Sequence, residues 1–511
     1  MKSNCIKINA VIVLTTLLIV ALSCNTQSKL LDPVVETQSG LLQGVANPEG
    51  TVTSFKGIPY AEPPVGDLRW RKPQPPLPWE GIRDASEFCA SCIQNRVYSH
   101  LPNGPWTEEF MVQNEVSEDC LFLNIWTPAR EASDKLAVFV YLHGGALTEG
   151  SGAIDVYDGE ELAKKGIVVV TINYRLGVLG FLAHPDLTAE SPNKVSGNYG
   201  YLDQIAALEW IRQNIAAFGG DPGRVTIAGQ SAGAGSVRAL IASPLARGLF
   251  QRAITQSGSG LVGSDRSTSL VDAEGRGTEF AESKGATSIS ELRAMPAMEV
   301  YMSASGQGPV RFGGVIDGYV LTASHTAVFE NGEQNDTPFM TGMNRDELRY
   351  RGERSDEFFT LYPVGPDGDT AQVERVAGQE QSRLNAYLWL EHRAKTSSTN
   401  GYVYYFNRAI PWPEYPEFGA FHTGEVPYMF NNLKMLDRPW TKVDTMVADV
   451  MSSYWVNFTK NGDPNGDGLP VWSAFNSDEK QVMELGEEMG MIPVAASEER
   501  FDFLKEQLLG N

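Results

Sequence analysis

Basic residues and histidines are both in short supply. The 511 residues carry 41 Lys and Arg against 63 Asp and Glu, a formal net charge of −22. A field of that sign repels nucleic acid and anionic lipid surfaces, so no nucleic-acid partner is expected; the charge says nothing about fold. Only six histidines are present, which makes each one a countable candidate for proton transfer. Cysteine is scarce too, with five copies, too few for a disulfide framework in a chain this long. None is needed, because a chain of this size buries about three quarters of the surface its unfolded state exposes. With 42% hydrophobic and 20% charged residues, the composition excludes collagen-like and disordered classes. Neither an internal repeat nor a clean linker is found.

The one long apolar run opens the chain. Lys2 and Lys7 precede INAVIVLTTLLIVALS, a stretch too short and wrongly flanked for a membrane span and suited to a secretory signal. It ends ALSC, and Cys24 there resembles the acylated cysteine of a bacterial lipoprotein, with Ala21 standing where leucine is usual. The expectation is a signal peptide over 1–23, lipidation at Cys24, and a periplasmic or cell-surface protein attached to a membrane by that anchor, otherwise secreted; a plain signal peptide or a retained membrane anchor is the alternative. Loss of 1–23 removes two lysines and no acid, taking the net charge to −24. Export permits disulfides. With Cys5 and Cys24 set aside, Cys89, Cys92 and Cys120 remain, so at most one internal bridge forms and one thiol is left over.

Downstream, the pattern is that of an α/β protein. Residues 41–59 read as short antiparallel strands with Gly turns. The Pro-rich stretch 61–79 carries Trp70 and Trp79, large apolar anchors that make it a packed loop rather than a linker. LAVFVYL (136–142) and IVVVTINY (167–174) are nearly unbroken apolar runs, the mark of strands covered on both faces. A long helix follows over 198–219, then a short strand around Ile227, a small-residue helix to about Ile241, and a strand at 252–258. From 262 to 335 the pattern turns irregular and helical. TPFMTG (337–342) and YVYYFN (402–407) read as the last central strands, and 445–460 as an amphipathic helix. The rhythm predicts a central, mostly parallel sheet with helices on both faces and helical insertions, in one domain over 24–511.

GQSAG (229–233) lies where a strand hands over to a helix. That context suits a nucleophile elbow, in which a tight turn lifts a serine oxygen above the sheet while small neighbours let the backbone close. The competing reading makes Ser231 a helix cap in a glycine-rich turn. A nucleophile needs a base and an oriented acid, and on this elbow they follow the serine in the order acid, then base. His100, His143 and His184 precede it; His325 and His392 fall in helical stretches. His422, in the glycine-flanked loop GAFHTGE, is the candidate base, with a structural histidine as the alternative. Among 63 carboxylates, Glu347 follows a predicted strand and is one plausible acid. YLHGGALTEGSG (141–152), after the strand 136–142, has the adjacent small residues that let consecutive N–H groups converge on one oxygen, with His143 bracing the loop. GDPNGDG (462–468) alternates Asp463, Asn465 and Asp467 as a calcium loop does, but Ala474 stands where the closing bidentate Glu belongs, so no metal is expected.

Several longer stretches carry a resemblance: FKGIPYAEPPVGDLRW (55–70), SEDCLFLNIW (117–126), HGGAL (143–147), NYRLGVLGF (173–181), 197–234, QSGS (256–259), NRDE (344–347) and FHTGE (421–425). Together these resemble the type-B carboxylesterases, α/β-hydrolases that include cholinesterases and bacterial para-nitrobenzyl esterases, across about 34–495. The resemblance implies ester hydrolysis without a cofactor on a small or medium hydrophobic ester. It implies Ser231 as nucleophile, Glu347 as acid, His422 as base, oxyanion donors at the N–H groups of Gly145, Ala146 and Ala232, and a supporting Ser257. It implies a Cys92–Cys120 bridge at the rim of the site and no partner for Cys89. Lipase action on acylglycerols and a non-catalytic surface adhesion role are the alternatives. Departures count as well. Ala146 replaces a third glycine, which speaks against tertiary-alcohol esters; Leu147 replaces an aromatic; Leu348 replaces a glycine; and Gln230 replaces a glutamate, which speaks against a choline-ester specialist. Trp106 is a candidate aromatic of the gorge.

Overall fold

Side chains that alternate along a doubly covered strand should divide between two cores, and they do. In the computed structural model, which describes residues 30–97, 99–258, 267–305 and 308–510, the strand Leu136–Leu142 sends Val138, Val140 and Leu142 into one apolar cluster. Ala137, Phe139 and Tyr141 enter the other. The expected signal peptide and Cys24 lie outside the described residues.

Among the described residues, eleven strands make one sheet. In chain order they are β1 (Val45–Ala46), β2 (Thr53–Pro59), β3 (Phe122–Thr127), β4 (Leu136–Leu142), β5 (Val168–Ile172), β6 (Gly220–Gln230), β7 (Arg252–Gln256), β8 (Phe339–Asn344), β9 (Gly401–Phe406), β10 (Gln481–Leu485) and β11 (Gly490–Pro493). In space the order is 1-2-3-5-4-6-7-8-9-10-11. The seven strands from β5 through β10 pair in parallel, and antiparallel strands close each edge. The mostly parallel sheet read from the sequence is therefore present. The chain passes from β4 to β5 on one side, then returns to place β6 on the other side of β4. That reversal opens a crevice at the carboxyl ends of β4 and β6, where α/β sheets bind ligands.

Helices α1 (Tyr199–Asn214), α2 (Ala232–Ala242), α4 (Thr370–Arg393) and α5 (Lys442–Asn461) frame the sheet, and α3 (Leu270–Ser283) packs in separate clusters outside it. Leu208, Val237 and Leu384 place α1, α2 and α4 on the first cluster, whereas Val447, Met451 and Trp455 place α5 on the second. α1 is buried on nearly every side, because its outer face is covered in turn by Phe181 and neighbouring insertions. The apolar spacing of the sequence marks the helix but under-reports that burial. α5 starts at a full capping box, Thr441 and Asp444 each satisfying the other's end of the first turn. Trp70 is buried, its indole N–H donating to the Val178 carbonyl at 2.9 Å; Trp79 is half-buried and donates to Leu41 at 2.8 Å. The Pro-rich stretch is thus a packed loop.

Candidate active site

Register places the key segments side by side. Leu142, the last residue of β4, pairs with Gly229 on β6, so the loop from His143 emerges against the turn at Ser231. Ser231 adopts φ 57°, ψ −120°, a left-sided backbone that non-glycine residues avoid. Its N–H is tied to the Gln256 carbonyl at 2.8 Å, and α2 starts at the next residue. The glycines of the motif are forced by contact. A Cβ on Gly229 would lie 2.5 Å from the Gly233 carbonyl, and one on Gly233 would lie 2.0 Å from the Leu142 oxygen.

His422 and Glu347 meet although 75 residues separate them. His422 Nδ1 donates to Glu347 Oε2 at 2.5 Å, and the other carboxylate oxygen accepts the Asn344 backbone N–H at 2.6 Å. Glu347 is almost wholly buried and His422 about one-third exposed. Burial works to lower the pKa of His422, yet the hydrogen bond and charge of Glu347, with Glu425 behind it, hold it above the ordinary imidazole value. On its other side the ring meets Gln230, whose amide nitrogen lies 3.3 Å from Nε2. The Ser231 hydroxyl is not hydrogen-bonded to His422 in this arrangement; both side chains line the same cavity. Catalytic hydrogen bonds are often loose in unliganded sites.

Two residues of this cluster carried no signal in the sequence reading. Glu425 is fully buried, three residues beyond His422, and accepts from Asn344 Nδ2 at 2.6 Å and Gln256 Nε2 at 3.2 Å. Burial, then the charge of Glu347, pushes its carboxyl up to about 7. Asn344 therefore holds both carboxylates, one by its backbone and one by its side chain. Their positions in NRDE and FHTGE were visible, but only the fold brings them together.

The loop after β4 carries three successive positive φ angles, at Gly145 (102°), Ala146 (55°) and Leu147 (60°). Neither the Gly145 nor the Ala146 N–H donates to a group among the described residues. Ala232, as the first residue of α2, has no intrahelical acceptor. His143 braces the loop from below. Its Nδ1 donates to the Gly144 carbonyl at 2.8 Å, its ring stacks on Tyr174, and burial lowers its pKa to about 4.

Ser231 and Ala146 line two cavities that meet at the nucleophile position. The first, about 210 Å³, holds Trp106, Gly145, Gln230 and His422. The second, about 650 Å³, holds Ala232, Ser257, Phe312, Met343 and a set of arginines. Ser257 lies at a strained φ of 52°, its buried hydroxyl without a hydrogen-bond partner among the described residues. Trp106 lines the first cavity and donates to Thr423 Oγ1 at 3.3 Å. Cys92 and Cys120 form a disulfide with a Cα–Cα distance of 4.9 Å. Cys89 is a free, half-buried thiol whose pKa burial raises. His325 begins a short helix beside the second cavity, His392 ends α4, and His184 caps a helix by accepting from the Asp186 N–H at 3.1 Å. In the 462–468 turn, Asn465 binds both the N–H and the carbonyl of Trp472, and its backbone N–H donates to Asp463.

Comparison with known proteins adds relatives across nearly the whole chain. The sequence profile of the carboxylesterase family matches residues 31–360 and 367–504. Fumonisin B1 esterase of Sphingopyxis macrogoltabida is 38% identical over 489 residues, covering 89% of this chain and 87% of that protein. The medium-chain fatty acyl-CoA hydrolase precursor of Anas platyrhynchos is 33% identical, covering 89% of each. Among solved structures, the Geobacillus stearothermophilus carboxylesterase EST55 superposes with a TM-score of 0.75 at 32% identity, over 92% of this chain and 99% of that one. A PNB esterase superposes with a TM-score of 0.76 at 28% identity, over 94% and 99%.

Proposed function

Because the chain belongs to the carboxylesterase family and is a carboxylic-ester hydrolase, we propose that Ser231, His422 and Glu347 are its catalytic triad. The hydroxyl turns towards His422 Nε2, displacing the Gln230 amide, and gives up its proton as the oxygen adds to the ester carbonyl. Negative charge on the carbonyl oxygen falls to the N–H groups of Gly145, Ala146 and Ala232. The C–O bond to the alcohol breaks, and His422 returns the proton to the leaving oxygen. Water then adds to the acyl-serine by the same route and releases the acid. Glu347 fixes the tautomer of His422 and stabilises the imidazolium. Ser257 packs beneath the turn as a supporting residue.

The observation that carries this reading is the 2.5 Å bond between His422 and Glu347 beside a strained serine and unpaired backbone donors. Ser231→Ala should fold and lose turnover by roughly 10⁴-fold or more. A hydrolysis assay in which it matches the native enzyme defeats the assignment. Against a lipase stands the surface: among the described residues, no strongly exposed large apolar side chain lines either cavity. Initial rates on a soluble short ester against a triglyceride emulsion separate the two. The esterase relatives, with serine, acid and base positions all filled, weigh against the adhesion reading. We also propose that residues 24–511 act as one exported hydrolase unit anchored through acylated Cys24. The mass of the mature N-terminus tests it.

A further inference from the structure

A carboxyl group sealed from water among neutral partners resists ionisation. Glu425 is such a group. It is fully buried, and the side chains that donate to it, Asn344 at the end of β8 and Gln256 at the end of β7, are both amides. Gln256 is itself fixed, its Oε1 accepting from the Trp455 indole of α5 at 3.4 Å. Three phenols face the carboxyl: Tyr141 on β4, Tyr157, and Tyr404 on β9. Burial raises the pKa of each, so all three stay uncharged at neutral pH. The other titratable groups facing Glu425 are Glu347 and His422, the acid and base of the triad.

Glu425 lines neither cavity, and the hydrolytic steps above do not use it. It reaches the triad by two routes. One is mechanical: Asn344 gives its side-chain Nδ2 to Glu425 and its backbone N–H to Glu347, each at 2.6 Å, so the buried carboxyl steadies the residue that steadies the acid. The other is electrostatic. A charge on Glu425 raises the proton affinity of His422, and the charge on Glu347 opposes one on Glu425. When two carboxyls share a site, one of them keeps a proton. Glu347 has the imidazole at 2.5 Å to stabilise its charge, so the proton falls to Glu425. Gln230, a neutral amide, stands against Nε2 and adds no third charge. Resting on the triad reading, we propose that Glu425 is a positioning residue that works as a neutral acid: through Asn344 it holds Glu347, and by keeping its proton it leaves His422 free to serve as base. Raised to about 7, the carboxyl ionises as the pH passes neutrality. The added negative charge then favours the imidazolium, so the two coupled ionisations displace the acid limb upwards and spread it over a wider range than one group would.

The test is the pH dependence of kcat/KM on p-nitrophenyl butyrate for the native enzyme, Glu425→Gln and Glu425→Ala. Glutamine keeps the shape and the neutral state but never ionises. Its acid limb should lie at least about half a pH unit below the native one and follow a single ionisation; coincident limbs overturn the proposal. On the plateau Glu425→Ala should lose at least about tenfold in kcat, because Asn344 and with it Glu347 are loosened, and Glu425→Gln should recover most of that loss. Alanine at the native rate, or glutamine no better than alanine, overturns it as well. Infrared spectroscopy reads the proton without turnover. At about pH 6, where ordinary carboxyls are ionised, the native-minus-Glu425→Gln difference should show the carbonyl band of a protonated acid, fading as the pH rises through about 7; its absence overturns the neutral state. Hydrolysis retained by Ser231→Ala would defeat the triad reading and leave that band in place, so the two failures are distinguishable.

Discussion

His422 works between carboxylates, and its proton affinity reports them. As the proposed base it must be neutral, and its pKa lies above the ordinary imidazole value. The acid limb of kcat/KM should therefore fall at a pH above about 6.5, activity being present above that point and lost below it. Glu347→Gln removes the chief stabiliser of the cation, so the limb should move down while kcat drops by about 10³–10⁴. Gln230→Glu adds a charge beside Nε2 and should move the limb further up. A pH–rate profile of the three proteins checks the order, and coincident limbs would refute the coupling. Much of this cluster was legible beforehand, because serine, acid and base each sat in a short stretch of distinctive residues. Glu425 and Asn344 were not, since burial and a shared hydrogen-bond donor are properties of the folded chain.

The turn joining β6 to α2 and the loop after β4 depend on contacts that admit no side chain. A Cβ on Gly233 would drive into the Leu142 carbonyl, so Gly233→Ala should separate α2 from β4. Stability should fall by about 3 kcal/mol, read as a lowered Tm and a loss of soluble protein. Gly145→Ala faces the Glu149 carbonyl at 2.1 Å and should instead act locally. It should cut kcat about a hundredfold with a smaller change in Tm, because one proposed oxyanion donor is turned away. Buried strands β4, β5 and β8 and helix α5 were readable from their apolar spacing. Helix α4 was read as helical at His392 but without its start at Thr370, and the last strands β10 and β11 were not read. α4 opens on a largely polar stretch, and the two strands are short, so tertiary packing rather than local pattern decides them.

At the scale of the whole molecule, one buried disulfide among the described residues closes a loop that lines the smaller cavity with Gln94, Trp106 and Phe110. The Cys92–Cys120 bridge closes a loop with a sequence separation of 28, and chain entropy alone values that at roughly 3–4 kcal/mol. Cys92→Ser combined with Cys120→Ser should lower Tm accordingly, and an unchanged melting curve would show that the loop is held by packing alone. That Cys89 stays outside the pair shows why counting thiols could limit the number of bridges without choosing their members. The junction of two cavities at one serine has its own consequence for the order of events in turnover. On the proposed acyl-serine route, a second hydroxyl compound that reaches this junction competes with water, so added alcohol should divert part of the product into a new ester.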